Sequence, residues 1–250
     1  MKFSMRVLCQ RVLILCLVFN AFCVVAKAQV SPVQVRVLFL DESKTAYFIK
    51  EGDGYQSVSP YPYSISPAFE VSPRSPREVF KEVKFVDDSG EERSRYVEIA
   101  QIEVEGDASS VLAVVAFKGS DQYQVRYYSE NEDEFPSGTV RVINLGQKPI
   151  AASVGGGVFP LVPGEAKLME PKLDHKRRFF TRVAEKDSEQ WNILYDDVTI
   201  LRANERMTGL VVYSPSGMRH TYTESEILEY GPPPPGHYWL SYSDSIREKN

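Results

Sequence analysis

Four groups of residues in this 250-residue chain could do chemistry: a glycine cluster, three histidines, two aspartate pairs and a run of aromatics. Gly155, Gly156 and Gly157, with Pro163-Gly164 after them, raise the question of a phosphate loop. Such a loop needs G-x-x-x-x-G-K-[ST] leading into a helix, so that backbone N–H groups and the helix N-terminus face the anion. Val158-Phe159-Pro160 follows Gly157 instead. A dinucleotide fingerprint would also need a helix after the turn and alternating βαβ units. The cluster therefore reads as a hairpin turn, where positive φ costs glycine little.

His220 shares a strand face with Met218 and Tyr222, His175 sits in the charged DHKRR loop, and His237 lies near the C-terminus. None has a second histidine at metal spacing, and neither HExxH nor a G-x-S-x-G elbow is present. Asp87-Asp88 and Asp196-Asp197 are neighbours, and adjacent strand residues point to opposite faces. Neither pair can form a glycosidase dyad, which spans a cleft of about 5–10 Å. DDSG suits a hairpin turn. Calcium at Asp87, Asp88, Glu91 and Glu92 is the alternative, without the D-x-D-x-D-G spacing. No catalytic residue, metal ligand or cofactor is expected.

The aromatic segment YQSVSPYPYSISPAF is the candidate ligand site: Tyr55, Tyr61, Tyr63 and Phe69, interleaved with Pro60, Pro62 and Pro67. Exposed aromatics offer rigid apolar area to a sugar ring or a peptide. The plainer alternative is an edge or loop whose tyrosines cover the core, since proline cannot serve a central strand.

The elements that would position these residues are strands. Val33, Val35, Val37 and Phe39 alternate with Gln34 and Arg36; Tyr123, Val125 and Tyr127 alternate with Gln122, Gln124 and Arg126; Trp191, Ile193 and Tyr195 do likewise. VLAVVAF (111–117) is continuously apolar, as a central strand would be. In YVEIAQIEV the apolar phase shifts, which a bulge near Ala100–Gln101 would reconcile. Ser214-Pro215-Ser216-Gly217 reads as the turn of a hairpin between GLVVY and MRHTY, FPSG as a turn before TVRVINL, and Pro163-Gly164 as a type II turn. Ser75-Pro76-Arg77-Glu78 could cap a short helix running to Val83.

The fold class is all-β, with an immunoglobulin-like β-sandwich architecture in two tandem sandwiches behind a signal peptide. The expected domains are a signal at 1–28, an N-terminal β domain at 29–133, a C-terminal sandwich at 134–228 and a Pro-rich tail at 229–250. The acidic run Glu130–Glu134 marks the middle boundary.

Lys2, Arg6 and Arg11 precede an apolar run, Val12–Val25, and Ala26-Lys27-Ala28 suits signal peptidase. Cleavage after Ala28 would remove four basic residues and all three cysteines (Cys9, Cys16, Cys23), leaving 25 basic against 34 acidic residues, a charge of −9. Such a chain would be periplasmic or extracellular, free of disulfides and repelled by nucleic acid and anionic membranes. TVRVINLGQKPIAASVGG, FPLVPGE, Trp191 before an Asp-rich turn and ERMTGLVVYSPSG together resemble a diffuse group of uncharacterised exported bacterial β-sandwich proteins, over residues 135–217. The resemblance implies the fold and carries no catalytic motif. The expected function is non-catalytic binding or scaffolding, with a cell-envelope protein or glycan as partner. The alternative is a carbohydrate-active protein using residues 55–69.

Overall fold

The computed structural model describes residues 31–40, 46–59, 63–73, 75–104, 108–119, 122–218 and 223–245. Residues 1–28, expected to be a signal, Tyr61 and His220 lie outside the described residues. The chain is all-β. The first eight strands are β1 Val33–Leu40, β2 Tyr47–Glu51, β3 Gly54–Ser59, β4 Phe69–Val71, β5 Arg77–Val86, β6 Glu92–Ile102, β7 Ser110–Gly119 and β8 Gln122–Ser129. The next seven are β9 Val140–Leu145, β10 Ile150–Val154, β11 Gly157–Leu161, β12 Ala166–Met169, β13 Arg178–Asp187, β14 Gln190–Ile200 and β15 Glu205–Ser214. Helix α1, Glu224–Tyr230, precedes β16, Gly236–Ser245.

The strands form four sheets of four, ordered β4-β1-β7-β8, β3-β2-β5-β6, β12-β9-β15-β16 and β11-β10-β13-β14. Strand for strand, β9–β16 repeat the pairing of β1–β8. In each repeat the first and seventh strands are parallel neighbours. Each repeat has a bulge at one corresponding place, Val79/Phe80 against β6 and Val183/Ala184 against β14. The second-to-third-strand hairpins turn on matching pairs, Gly52-Asp53 and Gly155-Gly156. Gly52, Gly155 and Gly156 all have positive φ. The glycine cluster is thus a two-residue turn of the kind that matches strand twist.

Sequence echoes the topology. Val35-Arg36-Val37 of β1 corresponds to Val140-Arg141-Val142 of β9, because Arg36 pairs with Leu112 and Arg141 with Thr208. Leu112 then faces Tyr128, and Thr208 faces Tyr242. Tyr128-Ser129-Glu130 therefore corresponds to Tyr242-Ser243-Asp244.

Each repeat is a sandwich with its own core. Val35, Val37, Phe39, Ile49, Val79, Ile102, Val111 and Ala113 fill the first. Val140, Val142, Ile150, Phe159, Val183, Met207 and Val211 fill the second. A third cluster (Leu38, Leu112, Val114, Ile143, Leu210, Val212) joins the other faces of β1, β7, β9 and β15. The β4-β1-β7-β8 and β12-β9-β15-β16 sheets are the inner layers, and the other two are outer layers. This explains VLAVVAF: Val111, Ala113 and Val115 enter the first core, and Leu112 and Val114 the inter-repeat core.

The inter-repeat face also carries ions, arranged reciprocally. Arg36 reaches across to Asp244, and its counterpart Arg141 reaches across to Glu130 at 3.5 Å. Arg36 also grips Glu130 through Nε (2.9 Å) and Nη2 (2.6 Å). The Glu130 side chain is 1% exposed. Phe135 lies between two guanidinium groups, Arg141 at 4.2 Å and Arg206 at 4.6 Å from the ring centre. Burial first, then the nearby Arg206 and Arg36 charges, push Arg141 down to about 10. Burial opposes the charge on Arg36 too, but hydrogen bonds to Glu130 and Asp244 prevail and raise its pKa. Repeats with matching self-complementary faces meet as an isologous dimer does, here within one compact unit, Pro32–Asn250.

Four expectations need correction. The residues proposed as a short helix, Ser75–Val83, lie in and just before β5. Val79 is fully buried and pairs with both Ile49 and Ala100; a two-turn helix has no comparable support. Trp191, Ile193 and Tyr195 do not share a face. Leu194 is the extra residue of the second bulge, which leaves Trp191 and Ile193 exposed and Tyr195 turned inward. Both sides of β15 are taken, by β9 and β16, so the Ser214–Gly217 turn does not lead into a hairpin partner for it; Arg219–Tyr222 of MRHTY lie outside the described residues. The C-terminal sandwich consequently runs to Ser245, within the stretch expected to be a tail. In the first repeat the bulge falls on Ile99, beside the expected Ala100–Gln101.

Candidate functional site: a cleft open in one repeat and filled in the other

Of the expected ligand residues, the three that are described, Tyr55, Tyr63 and Phe69, stand in different surroundings. Tyr63 is buried in the inter-repeat core, with its carbonyl accepting the Tyr242 hydroxyl. Phe69 packs on the first core. Tyr55 stands on the N-terminal outer sheet among aromatics that sequence reading did not associate with it. Its ring stacks on Tyr96 at 3.9 Å and meets Phe80 edge-on at 5.0 Å, and Phe48 abuts Tyr96.

The catalytic candidates are engaged structurally. His237 Nδ1 lies 2.5 Å from Glu185 Oε2, and its Nε2 accepts the Gln147 backbone N–H at 2.9 Å. This buried pair ties β16 to β13. Asp196 pairs with Arg182 at 2.8 Å. Asp87 accepts from the Ser89 backbone and hydroxyl and from the Glu91 backbone, forming the expected turn. Among the described residues, no group of three His, Cys, Asp or Glu is placed to hold a metal.

A cleft of about 560 Å³ lies between the two sheets of the N-terminal sandwich. It opens where β6 and β8 end their sheets on the same side. Ala100, Val104, Val111 and Val125 form apolar walls, and Gln101, Glu103, Tyr123 and Tyr127 supply polar groups. The Glu103 backbone N–H donates to the Tyr127 hydroxyl at 3.0 Å, a bond that spans the cleft from the end of β6 to β8. Burial first, and the Glu103 charge after it, raise the Tyr127 pKa, so the phenol stays neutral and able to donate.

The repeat explains why the cleft exists. Counting from the matched hairpins and through Val79 and Val183, Ala100 corresponds to Tyr195. Counting across the seventh strand, Val125 corresponds to Trp239 and Ala113 to Gly209. In the C-terminal sandwich Tyr195 and Trp239 stack at 5.8 Å and pack on its core. The indole reaches inward only because position 209 is glycine: a Cβ there would stand 1.9 Å from the Trp239 ring. The N-terminal repeat has small side chains at the two filling positions and a methyl group where the ring would need space. The sequence signal was present in the paired VRV and YS-acid motifs, which supply the alignment.

A second surface is the outer face of the C-terminal outer sheet. Val158, Phe180, Trp191, Ile193, Val198 and Ile200 are all more than 40% exposed there. A shallow groove of about 380 Å³ runs between Val158, Phe180 and Trp191. Such a patch is the kind of surface that marks protein contacts. Compared with known proteins, the chain matches no protein-family model and no curated protein sequence.

Proposed function

We propose that this chain is an exported, non-catalytic, immunoglobulin-like β-sandwich protein that binds its ligand in the N-terminal cleft. The observation that carries the reading is the contrast between repeats: one pair of positions is filled by Tyr195 and Trp239, and the matching pair is left open. A core position that one copy closes with two rings is retained open in the other, at a volume suited to ligands. The basic, apolar and small-residue layout of residues 1–28 supports export to the periplasm or outside the cell.

The test is to copy the filled repeat into the open one with Ala113→Gly and Val125→Trp. Pull-downs from the native envelope should enrich a partner with the wild-type protein and lose it with the variant, while the melting temperature does not fall. Equal enrichment by both proteins would overturn the reading.

One observation favours a second reading, glycan binding. Tyr55 and Tyr96 are 40% and 38% exposed on the N-terminal outer sheet. Their mutual stacking leaves each ring one free face at most, a small platform for a sugar. Saturable binding of cellohexaose or chitohexaose that Tyr55→Ala abolishes would favour it.

A further inference from the structure

We infer that the cleft takes an extended peptide segment, added as a strand to the free edge of β8, with apolar side chains between the sheets and a Lys or Arg at Glu103. The inference rests on the cleft being the binding site. Its first support is backbone geometry. Glu130 N–H bonds the Ser110 carbonyl at 2.8 Å. Antiparallel alternation then turns residues 124, 126 and 128 toward β7, and Val125 and Tyr127 present N–H and C=O to the open side. β8 ends its sheet, so those groups offer a template for another strand.

The neighbouring edge is defended and this one is not. β6 carries Glu92, Arg93, Arg95 and Glu98, charges of the type that discourage pairing. The charged residue of β8, Arg126, lies on the inter-repeat face, where its Nη1 sits 2.6 Å from the place a Cβ on Gly164 would occupy. On the cleft side β8 shows Val125 and two tyrosines.

Side-chain chemistry sets the rest. A strand on β8 sends alternate residues inward, between Val125 and the apolar walls, so those residues must be apolar. Among the described lining residues the one charge is the Glu103 carboxylate, which selects a cationic neighbour over an anionic one. The C-terminal repeat cannot do the same, because Trp239 already occupies the inward space.

The experiment uses the mature protein, ¹⁵N-labelled, titrated with a capped heptapeptide of alternating Val and Thr flanked by Lys. Saturable binding is expected, with the largest amide shifts at Val125 and Tyr127. N-methylation of the alternate amides that face β8 should weaken it at least about tenfold, because each blocked bond leaves a desolvated carbonyl unpaired. Exchanging the flanking Lys for Glu, or introducing Glu103→Gln, should also weaken it. Equal affinity for the N-methylated peptide would overturn strand addition and leave the cleft as the site. No peptide binding, with cellohexaose shifting Val125, would do the same. Shifts confined to residues far from the cleft would overturn both.

Discussion

The two repeats share eight strands, a sheet order, a bulge and a glycine hairpin, and two of their differences bear on function. One is the cleft. The other is the connection between the seventh and eighth strands. In the N-terminal repeat β7 ends at Gly119 and β8 begins at Gln122. The C-terminal repeat inserts residues 215–235, which include α1 with Leu228 87% and Tyr230 77% exposed. A capping box closed by Thr223 and Glu226 holds the helix without any buried residue. Shared features are those that close a sandwich: core stripes, paired edges, turns with positive φ. The differences lie where no core demands them, which is why they are the places to look for function.

The reciprocal ions give the sharpest break of the symmetry. Glu130 and Asp244 occupy equivalent positions, yet Glu130 is buried between Arg36 and Arg141 while Asp244 is 31% exposed. Glu130→Gln leaves Arg141 without its carboxylate and Arg36 with Asp244 alone, and should cost about 3–5 kcal/mol in urea unfolding. Asp244→Asn should cost roughly 1 kcal/mol or less, because water already screens it. Equal costs would mean that the two ends of the interface are not distinguished by burial.

Exchanging the cleft residues tests the packing argument itself. Trp239→Val removes a ring that only Gly209 accommodates, and should destabilise by roughly 2–4 kcal/mol through the cavity it leaves. Val125→Trp with Ala113→Gly should be near neutral in thermal melting, since the added ring enters existing space. Val125→Trp alone keeps the Ala113 methyl and should cost about 1–3 kcal/mol by overpacking. If the single and double variants melt together, the alignment of Ala113 with Gly209 is wrong.

The hairpin glycines separate conformational strain from contact. Gly52 and Gly155 are equivalent, with φ of 58° and 55°. A Cβ at Gly52 meets nothing within 4 Å; one at Gly155 lies 2.6 Å from the Lys172 nitrogen and the Pro171 Cα. Gly52→Ala should cost roughly 1 kcal/mol for φ alone. Gly155→Ala should exceed it by about 1–3 kcal/mol, because backbone must move.

Much of this fold was legible. Period-two alternation found β1, β8 and part of β14, and the continuous run at 111–117 found a strand covered on both faces. Glycine and proline marked the turns at 155–156 and 163–164. Two things were hidden. A single bulge at Leu194 moved Trp191 and Ile193 to solvent, because one extra residue reverses the facing of everything before it. The duplication was also hidden: Arg36 and Arg141 recur at one spacing, Tyr128 and Tyr242 at another, since the insertion holding α1 lengthens the second repeat. The cleft could not be read from residues 100 and 125 alone. Ala and Val are ordinary core residues, and only their counterparts show what is missing.

The smallest expected effect compares one capping carboxylate in each repeat. Asp87 closes the β5–β6 turn, and its pKa is lowered first by the Ser89 hydroxyl and then by the Glu91 and Ser89 backbone N–H groups. Asp174 closes the loop before β13, and the Arg178 side chain first, with the Arg178 and Lys176 backbone N–H groups, brings it down to about 2 from an ordinary 3.8. Depression in the folded state means that the unfolded chain binds protons more readily in acid. The stabilisation is therefore complete above the unfolded value and is lost as pH falls from about 4 toward 2. Asp174 is exposed and Asp87 is half-buried at the surface, so solvent screens the effect and it should be modest in each. Each carboxylate has a guanidinium beside it, Arg93 at 2.6 Å from Asp87 and Arg178 at 2.7 Å from Asp174, but the depression at Asp174 is the large one, so Asp174→Asn should flatten the acid limb of the stability curve more than Asp87→Asn. Melting temperatures of both variants between pH 2 and 5 check this. A larger flattening for Asp87→Asn would show that the turn in the N-terminal repeat, and not the loop in the C-terminal one, depends more on its carboxylate.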